Sequence, residues 1–570
     1  MGNEYVYPAS LKTMDGTKWG YINEKGEFEI QPDFCYALDF QKNGLATAEK
    51  AGKYGSIDRC GNVIIPFKFE STIDFSESRA AVVFEGGFHV INEQGDLLTK
   101  RPFNYISMFQ EGRAMFSDID TYGNFRYGYL NKDGDVAIEL QFESATDFKD
   151  GLAVVKMADN HFALIDRMGN VVSRYNYYFV GNYGEGMLSF RTGPQEKFGY
   201  IDLKGNVIIQ PRFSTAQSFE SGRAVVNEAD DIQNKYGLID RAGRYIIEPI
   251  YNDVITLGEN RVAVGKAIDR SKPYIGSLYA IANWKGELIT EFIYDHISQF
   301  DQGIASSSQA NKAFFIDRSG NRARGLPVVI GADSVALINR LVRAMKNTRI
   351  AYFDRKGKIV WRQNTIIPLT NRYRVLEKKY EPNKDFLVFY PHVDGIKNQK
   401  AEVNVNEKLK QLSNVKEIDP TEQLEYTYTG DFNVSFFKKH LLVIELFGYE
   451  YYFGAAHGMP MKTYVNLNMI SGRFYELGDL FKKDSHYIAR LSSIIEEMIE
   501  TDRQYDYVFP GAYQGITENQ PFYVDENALY IYFFPYEIGP YAAGFPTFKI
   551  PFSEIIEIID TKGEFWLSFN

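Results

Sequence analysis

The chain carries little of what redox, metal or nucleophilic chemistry needs. Two cysteines, Cys35 and Cys60, stand among 570 residues, too few for the disulfide framework of a small secreted scaffold. They fall in neighbouring copies of a repeat. A disulfide between them and a pair of buried free thiols both fit, and buried thiols are the expectation, because free Cys usually behaves as a small hydrophobe. The seven histidines, His89, His161, His296, His392, His440, His457 and His486, show no metal-ligand spacing. There is no G-x-x-x-x-G-K-[ST], H-E-x-x-H, C-x-x-C or G-x-S-x-G phrase. No catalytic residue, metal or cofactor is therefore expected. Lys and Arg number 63 against 74 Asp and Glu, with no long basic run, which argues against nucleic acid as a partner. No window approaches the roughly 18 apolar residues of a membrane span. The N-terminus, MGNEYVYPASLKTMDGTKWG, has no apolar signal core, and Val6 breaks the myristoylation pattern. As written, the chain is expected to be cytoplasmic without an integral membrane segment; an envelope location follows if a leader has been removed.

What the chain has instead is repetition. YGSIDRCGNVIIP at 54–66 returns as FGYIDLKGNVIIQP at 198–211 and YGLIDRAGRYIIEP at 236–249. Ten copies place Asn or Asp three residues before Gly: Asn23/Gly26, Asp58/Gly61, Asn92/Gly95, Asn131/Gly134, Asp166/Gly169, Asp202/Gly205, Asp240/Gly243, Asn283/Gly286, Asp317/Gly320 and Asp354/Gly357. The glycines lie 34 to 43 residues apart, the period of propellers and solenoids. The Asx side chain bonds the backbone two residues on, and Gly takes the left-handed position of a G1 bulge. Each phrase is thus a tight hairpin. Phrases such as DGLAVVK at 150–156 add a further strand and QPRFSTAQSF at 210–219 a weaker one, giving a blade-like β-meander.

KWGYINEKG at 18–26, followed by IQP, DF and NGLA, resembles the WG-repeat family of bacterial β-repeats over roughly residues 15–365. The Trp-Gly pair itself is Trp19-Gly20. Elsewhere it becomes Tyr54-Gly55, Tyr127-Gly128, Phe198-Gly199 or Tyr236-Gly237, and His89, Ala163, Ala280, Phe314 and Ala351 replace the glycine in the other copies. The resemblance implies no chemistry. Ten units exceed the roughly four to eight blades of a closed propeller, so a ring and an open superhelix both remain open.

Near residue 365 the repeat stops, and 375–570 reads as an α+β domain. Strands are expected at 386–390, 426–437, 441–450, 462–469 and within 528–552. Helices are expected at 403–412 and 484–503, and a tail hairpin near Lys562-Gly563. In the second helix, Tyr487, Ile488, Leu491, Ile494, Ile495, Met498 and Ile499 share one face, and Asp484 or Ser485 is the expected cap. VFYPHVDGIKNQKAEVNVNEKL (388–409), GAAHG (454–458), NLNMISGRFYELGDLF (466–481) and FPYEIGPYAAG (534–544) resemble the extracytoplasmic domain of RsiV-type anti-sigma factors. The same domain precedes some peptidoglycan deacetylase modules. The resemblance implies protein recognition at a cell envelope, with lysozyme as the ligand to try first.

His457, after Tyr449, Tyr451 and Tyr452, reads either as a pH-sensitive contact or general base, or as a loop histidine bonding a backbone carbonyl. The stretch 536–544 reads as a ligand groove or a bend in a strand, with Ala542 and Ala543 admitting a close backbone. Asp58, Asp166, Asp202 and Asp240 sit where calcium-binding repeats carry ligands. Each turn supplies one carboxylate, however, while calcium takes about six oxygens or more, so turn capping is expected. The resulting expectation is a mainly β, non-enzymatic scaffold whose C-terminal domain binds a protein through Tyr451, Tyr452, His457, Tyr536 and Tyr541. The alternative is an envelope-associated hydrolase or deacetylase-related enzyme with a site not yet visible.

Overall fold

In the computed structural model, which describes residues 5–120, 122–158 and 161–570, every repeat glycine takes the left-handed conformation expected of it. Gly26, Gly61, Gly95, Gly134, Gly169, Gly205, Gly243, Gly286, Gly320 and Gly357 all have φ between 75° and 88°. One turn shows why. Gly205 N–H donates to the Asp202 carbonyl at 3.0 Å, and Asp202 N–H donates to the Asn206 carbonyl at 2.9 Å. Asp202 Oδ1 accepts from the backbone N–H groups of Lys204 and Asn206, each at 2.8 Å. This is a type I turn with a G1 bulge, and the +86° at Gly205 is a conformation glycine enters without steric penalty. The same closing bond recurs in other copies, including those that have lost the glycine of the Trp-Gly pair. Gly134, Gly286, Gly320 and Gly357 donate to the carbonyls of Asn131, Asn283, Asp317 and Asp354 at 3.1, 3.0, 2.9 and 3.0 Å.

In most copies the turn joins the last two strands of a small antiparallel sheet whose order follows the chain. Ser144–Ala145, Leu152–Ala158, His161–Asp166 and Val171–Tyr175 make one such blade; its two-residue first strand is the weak fourth strand expected from the repeat. A full strand also follows Gly134, at Val136–Phe142, and Gly357, at Ile359–Arg362. Three copies depart from the expected hairpin. After Gly95, Gly286 and Gly320 the turn is followed by single bridges, Ile91 with Leu97, Ala282 with Leu288 and Ile316 with Arg322. In two of them a side chain takes over a ladder bond, because the Thr99 and Thr290 hydroxyls accept from Val90 and Ile281 N–H at 3.2 and 2.9 Å.

The glycine of the Trp-Gly pair answers a different need. At Gly128 the ladder to the next strand breaks register, and a Cβ would lie 2.5 Å from the Ile138 carbonyl oxygen. The tyrosine that follows is buried. Tyr21, Tyr129 and Tyr200 donate their hydroxyls to the carbonyls of Leu38, Thr146 and Gln217, and burial pushes all three phenols well above the ordinary tyrosine range.

Apolar cores form between consecutive blades. Met187, Tyr200 and Ile209 of one pack with Phe219, Ala224, Val226 and Ile239 of the next. A repeated polar clasp reinforces them. Glu77, Glu111, Glu185 and Glu259, all at positive φ, accept from the N–H of Gly112, Gly151, Gly222 and Gly303 in the following blade. The last blade, from Ser334–Ile338 to Ile359–Arg362, packs back on the first. Tyr352 donates to the Pro8 carbonyl at 2.9 Å and its ring lies 5.6 Å from Tyr7. Arg343 pairs with Asp39 at 2.6 Å. The ten blades therefore close a ring, which resolves the alternative between ring and open superhelix. Cys35 and Cys60 correct an expectation: both are free and exposed, because their positions lie on the outer side of turns and short strands, away from the inter-blade cores.

The chain divides into two compact units: residues up to 9 with 19–362, and 10–18 with 363–570. The second unit holds a seven-stranded sheet in chain order from Ile366–Pro368 to Phe474–Tyr475. Its one parallel pair, Phe386–Asp394 with Tyr426–Lys438, is bridged by the helix Gln399–Leu412, as a parallel step requires. The helix begins four residues before the expected 403 because Asn398 caps it by accepting from Ala401 N–H. The second helix is Tyr487–Thr501 and begins after His486 at φ +48°, without a side-chain cap; neither Asp484 nor Ser485 serves. Its expected apolar face does pack on the core. The tail hairpin is instead a short helix, Glu564–Leu567, whose Phe565 stacks on Tyr475 at 4.2 Å. Stretch 528–552 is two strands, Ala528–Tyr532 and Thr547–Pro551, separated by a loop.

Lys12 is the polar anchor of this unit. Its side chain is 3% exposed, and its Nζ lies 2.9 Å from both Glu377 and Asp431 and 4.0 Å from the Phe432 ring centre.

Gly205→Val should destabilise the ring by about 1–2 kcal/mol, because a β-branched residue resists positive φ and the Tyr175 ring lies 3.3 Å from the new Cβ. Urea unfolding of the full chain measures it, and an unchanged midpoint contradicts the turn's role. Lys12→Ala removes the ammonium from between two buried carboxylates. The unfolding transition of the second unit should lose about 3–5 kcal/mol. Equal midpoints for the variant and the parent would rule this out.

Candidate functional site

The strand Leu441–Tyr452 shows how the sheet builds a surface. Leu442, Ile444 and Leu446 face one core, shared with Val405 and Leu409 of the first helix. Leu441 and Val443 face another, shared with Leu491 and Ile495 of the second. Beyond Leu446 the sheet outruns both cores. Phe447, Tyr449 and Tyr452 on this strand, and Met459 and Met461 on its neighbour Met459–Asn468, are exposed. The two strands pair directly, with Gly448 opposite Met461 and Tyr449 opposite Pro460.

Around the turn joining these strands, four of the five expected site residues form two contact sets. Tyr451 donates to the Ala455 carbonyl at 3.2 Å. His457 Nδ1 lies 3.1 Å from the Gly458 carbonyl oxygen, so Nδ1 carries the proton and Nε2 accepts from the Tyr536 hydroxyl at 3.3 Å. Tyr541 donates to the same Gly458 carbonyl at 3.0 Å, and its ring lies 4.2 Å from the His457 ring. Loops 79 residues apart, measured from His457 to Tyr536, are thereby joined. The fifth residue, Tyr452, stands apart and packs its ring on Tyr426 at 5.3 Å.

The local backbone is built for this closeness. Gly458 N–H donates to the Tyr449 hydroxyl at 2.9 Å, and a Cβ on Gly458 would meet the Tyr449 ring at 2.6 Å. Tyr536 sits at φ +68°, a strained conformation for a bulky residue. Stretch 536–544 is not a bend in a strand: Tyr541–Ala543 forms a single 3-10 turn. Desolvation and the Tyr449 hydroxyl hold the Tyr541 phenol above the ordinary tyrosine range. Behind the site, Tyr464 stacks on Tyr523 at 4.0 Å and Tyr523 on Tyr530 at 4.5 Å. Tyr464 also donates to Glu445 at 2.9 Å, and burial pushes the Tyr523 phenol up to about 12.

The sequence reading missed Phe447, Met459, Met461 and Phe534 as surface residues. Part of the signal was present in FGYEYY at 447–452: Phe447, Tyr449 and Tyr451 alternate onto one face, while Tyr452 falls on the other with Met459 and Met461. Only the end of the buried core tells which face is wet.

Six segments, 19–54, 54–88, 127–160, 198–230, 236–266 and 280–312, match the model of the WG containing repeat. Residues 478–553 match the model of a protein family of unknown function, DUF3298. No curated protein matches the chain. Among solved structures, a DUF3298 family member from Bacteroides fragilis NCTC 9343 is 19% identical, covering 33% of this chain and 92% of its own, with a TM-score of 0.26. A DUF3298 family protein from Pseudomonas aeruginosa PAO1 is 16% identical, covering 34% and 95%, with a TM-score of 0.27. A eukaryotic initiation factor is 9% identical, covering 63% and 96%, with a TM-score of 0.40. The chain thus carries WG repeats and a C-terminal DUF3298 domain. Among the described residues no helix is long and apolar enough to cross a membrane.

The turn aspartates are occupied by their own turns. Asp202 and Asp166 each spend Oδ1 on two backbone N–H groups and Oδ2 on the amide of Asn206 or Asn170. Among the described residues no group of three or more His, Cys, Asp or Glu could hold a metal. The Asn206 and Asn170 side chains, followed by backbone N–H groups, hold these two carboxyls below the usual aspartate range. A depressed folded-state value stabilises above the unfolded value and loses that stability as pH falls through the folded one. Ring stability should therefore decline from about pH 4 towards pH 2. Asp202→Asn, the amide used at Asn23, Asn92 and Asn131, should make that decline shallower. Denaturation midpoints across this range test it, and an unchanged slope contradicts it.

Proposed function

We propose that the chain is a non-enzymatic binding protein, with the blade ring as scaffold and the C-terminal domain as a recognition head for a protein ligand. The observation that supports this most is the exposure, on that domain, of Phe447 and Tyr449 on one face of the sheet and of Tyr452, Met459 and Met461 on the other, with Phe534 and Tyr536 exposed in the loop that Tyr541 and His457 hold in place. Aromatic and Met residues are enriched at protein interfaces. Tyrosine rings already held by neighbours lose little freedom on binding. Both ring nitrogens of His457 are engaged by Gly458 and Tyr536, an arrangement that joins and orients the two loops.

The RsiV-type resemblance belongs to this reading. It makes the ligand an envelope protein and lysozyme the first to test. Calorimetric titration of the full chain with lysozyme should show saturable binding. Tyr452→Ala and Tyr541→Ala should each weaken it by about 2 kcal/mol, the scale of an interface hot spot. Binding that survives both substitutions removes this surface from the reading. Turnover of an acetylated or glycosidic substrate, abolished by His457→Ala, would replace the binder with the hydrolase or deacetylase-related alternative.

A further inference from the structure

The repeats allow one blade to be read against its neighbour. Lys156 and Arg191 hold equivalent places in consecutive blades: Lys156 pairs with Ser144 and Arg191 with Phe179, each across from the first residue of a blade. The residue before Ser144 is Glu143, which binds Lys156 at 3.1 Å. The residue before Phe179 is Tyr178. The second cation has therefore lost its carboxylate to a ring. Among the described residues no carboxylate pairs with Arg191. Its Nη1 donates to the Pro194 carbonyl at 2.9 Å, while its Nε is buried without a hydrogen-bond partner. Its guanidinium lies 5.3 Å from the Tyr178 ring centre, 5.8 Å from Phe179 and 5.2 Å from Phe198.

This cation borders a cleft of about 630 Å³ between the two blades, within the size range of small-ligand pockets. Its apolar part is Phe179 with the small exposed edges of the buried Val154, Phe162 and Val180. Ser144, Lys156, Tyr178 and Arg191 supply its polar and cationic groups. A mixed lining with an aromatic edge at Tyr178 and Phe179, beside a guanidinium with no paired acid, suits one class of ligand: a carboxylate carried on an apolar or aromatic body. The carboxylate accepts from Arg191 in the charge-assisted way a planar guanidinium favours, and the apolar body packs on the rings of Tyr178 and Phe179.

We propose that the cleft between the fifth and sixth blades binds such an aryl or alkyl carboxylate, with Arg191 as the residue that recognises its charge. The site is independent of the C-terminal surface. Either a free metabolite or the C-terminal residue of a peptide presents this chemistry.

N-acetyl-phenylalanine, its uncharged amide, and an acetylated tetrapeptide ending in phenylalanine are titrated into the full chain by calorimetry. The expected result is saturable binding of the carboxylates and at least about ten-fold weaker binding of the amide, the order of a lost charge-assisted hydrogen bond. Tighter binding of the peptide identifies a chain terminus as the source, and tighter binding of the amino acid a free metabolite. Arg191→Met should weaken carboxylate binding by a similar factor. Because that variant disturbs ring packing, Tyr178→Glu provides a second test. It restores the acid found at Glu143, should leave the unfolding midpoint at or above that of the parent, and should abolish binding. No saturable binding of any carboxylate, equal binding of acid and amide, or undiminished binding in a folded Tyr178→Glu variant would overturn the proposal.

Discussion

Each blade depends on the one before it through the turn glycine. A Cβ on that glycine would meet Ile30 at Gly61, Ile65 at Gly95, Leu98 at Gly134, Ile138 at Gly169 and Ile209 at Gly243, each in the preceding blade. In the later copies it would meet Ile246 at Gly286, Thr290 at Gly320 and Pro327 at Gly357. At Gly26 it would meet Val360, in the last blade. The positive φ that closes the hairpin also brings the turn's backbone against its neighbour. One residue type therefore satisfies the local bend and the inter-blade contact together. This explains why the Asx-x-x-Gly phrase persists in all ten copies while the Trp-Gly glycine is replaced in half of them. The first controls how blades stack, while the second relieves crowding inside one blade. A linear array would leave two end blades uncovered; here Tyr352 and Val360 meet the first blade, and Arg343 reaches Asp39 next to the first strand of the second.

The C-terminal domain is built by a different route. LLVIEL at 441–446 is apolar without a helical period because the strand is buried on both faces at its start. Two helices and a second small sheet supply that burial. They end before the strand does, and the remaining length carries Phe447, Tyr449 and Tyr452 into solvent. The joined loops at His457, Tyr536 and Tyr541 sit where the sheet extends past its cores. Rings, hydroxyls and one imidazole brace each other there, so the two loops are held against one another.

Local pattern determined much of this protein. The ten turns, their glycine conformations, the short first strand and the apolar face of the helix at 487–501 all follow from interactions within a few residues, which spacing and residue type record directly. The membership of the aromatic cluster was also partly legible, because glycine loops rich in tyrosine stand out in sequence. Tertiary structure decided the rest. Ring closure depends on contacts between residues more than 300 positions apart, such as Arg343 with Asp39, and no local pattern carries that information. The exposure of Cys35 and Cys60 depended on which face of each turn the neighbouring blade left uncovered. The helix starts depended on Asn398 and on the left-handed His486. The place of Lys12 depended on two carboxylates brought from positions 377 and 431. Sequence records bonds made along the chain; burial and pairing across it exist only once the chain has folded.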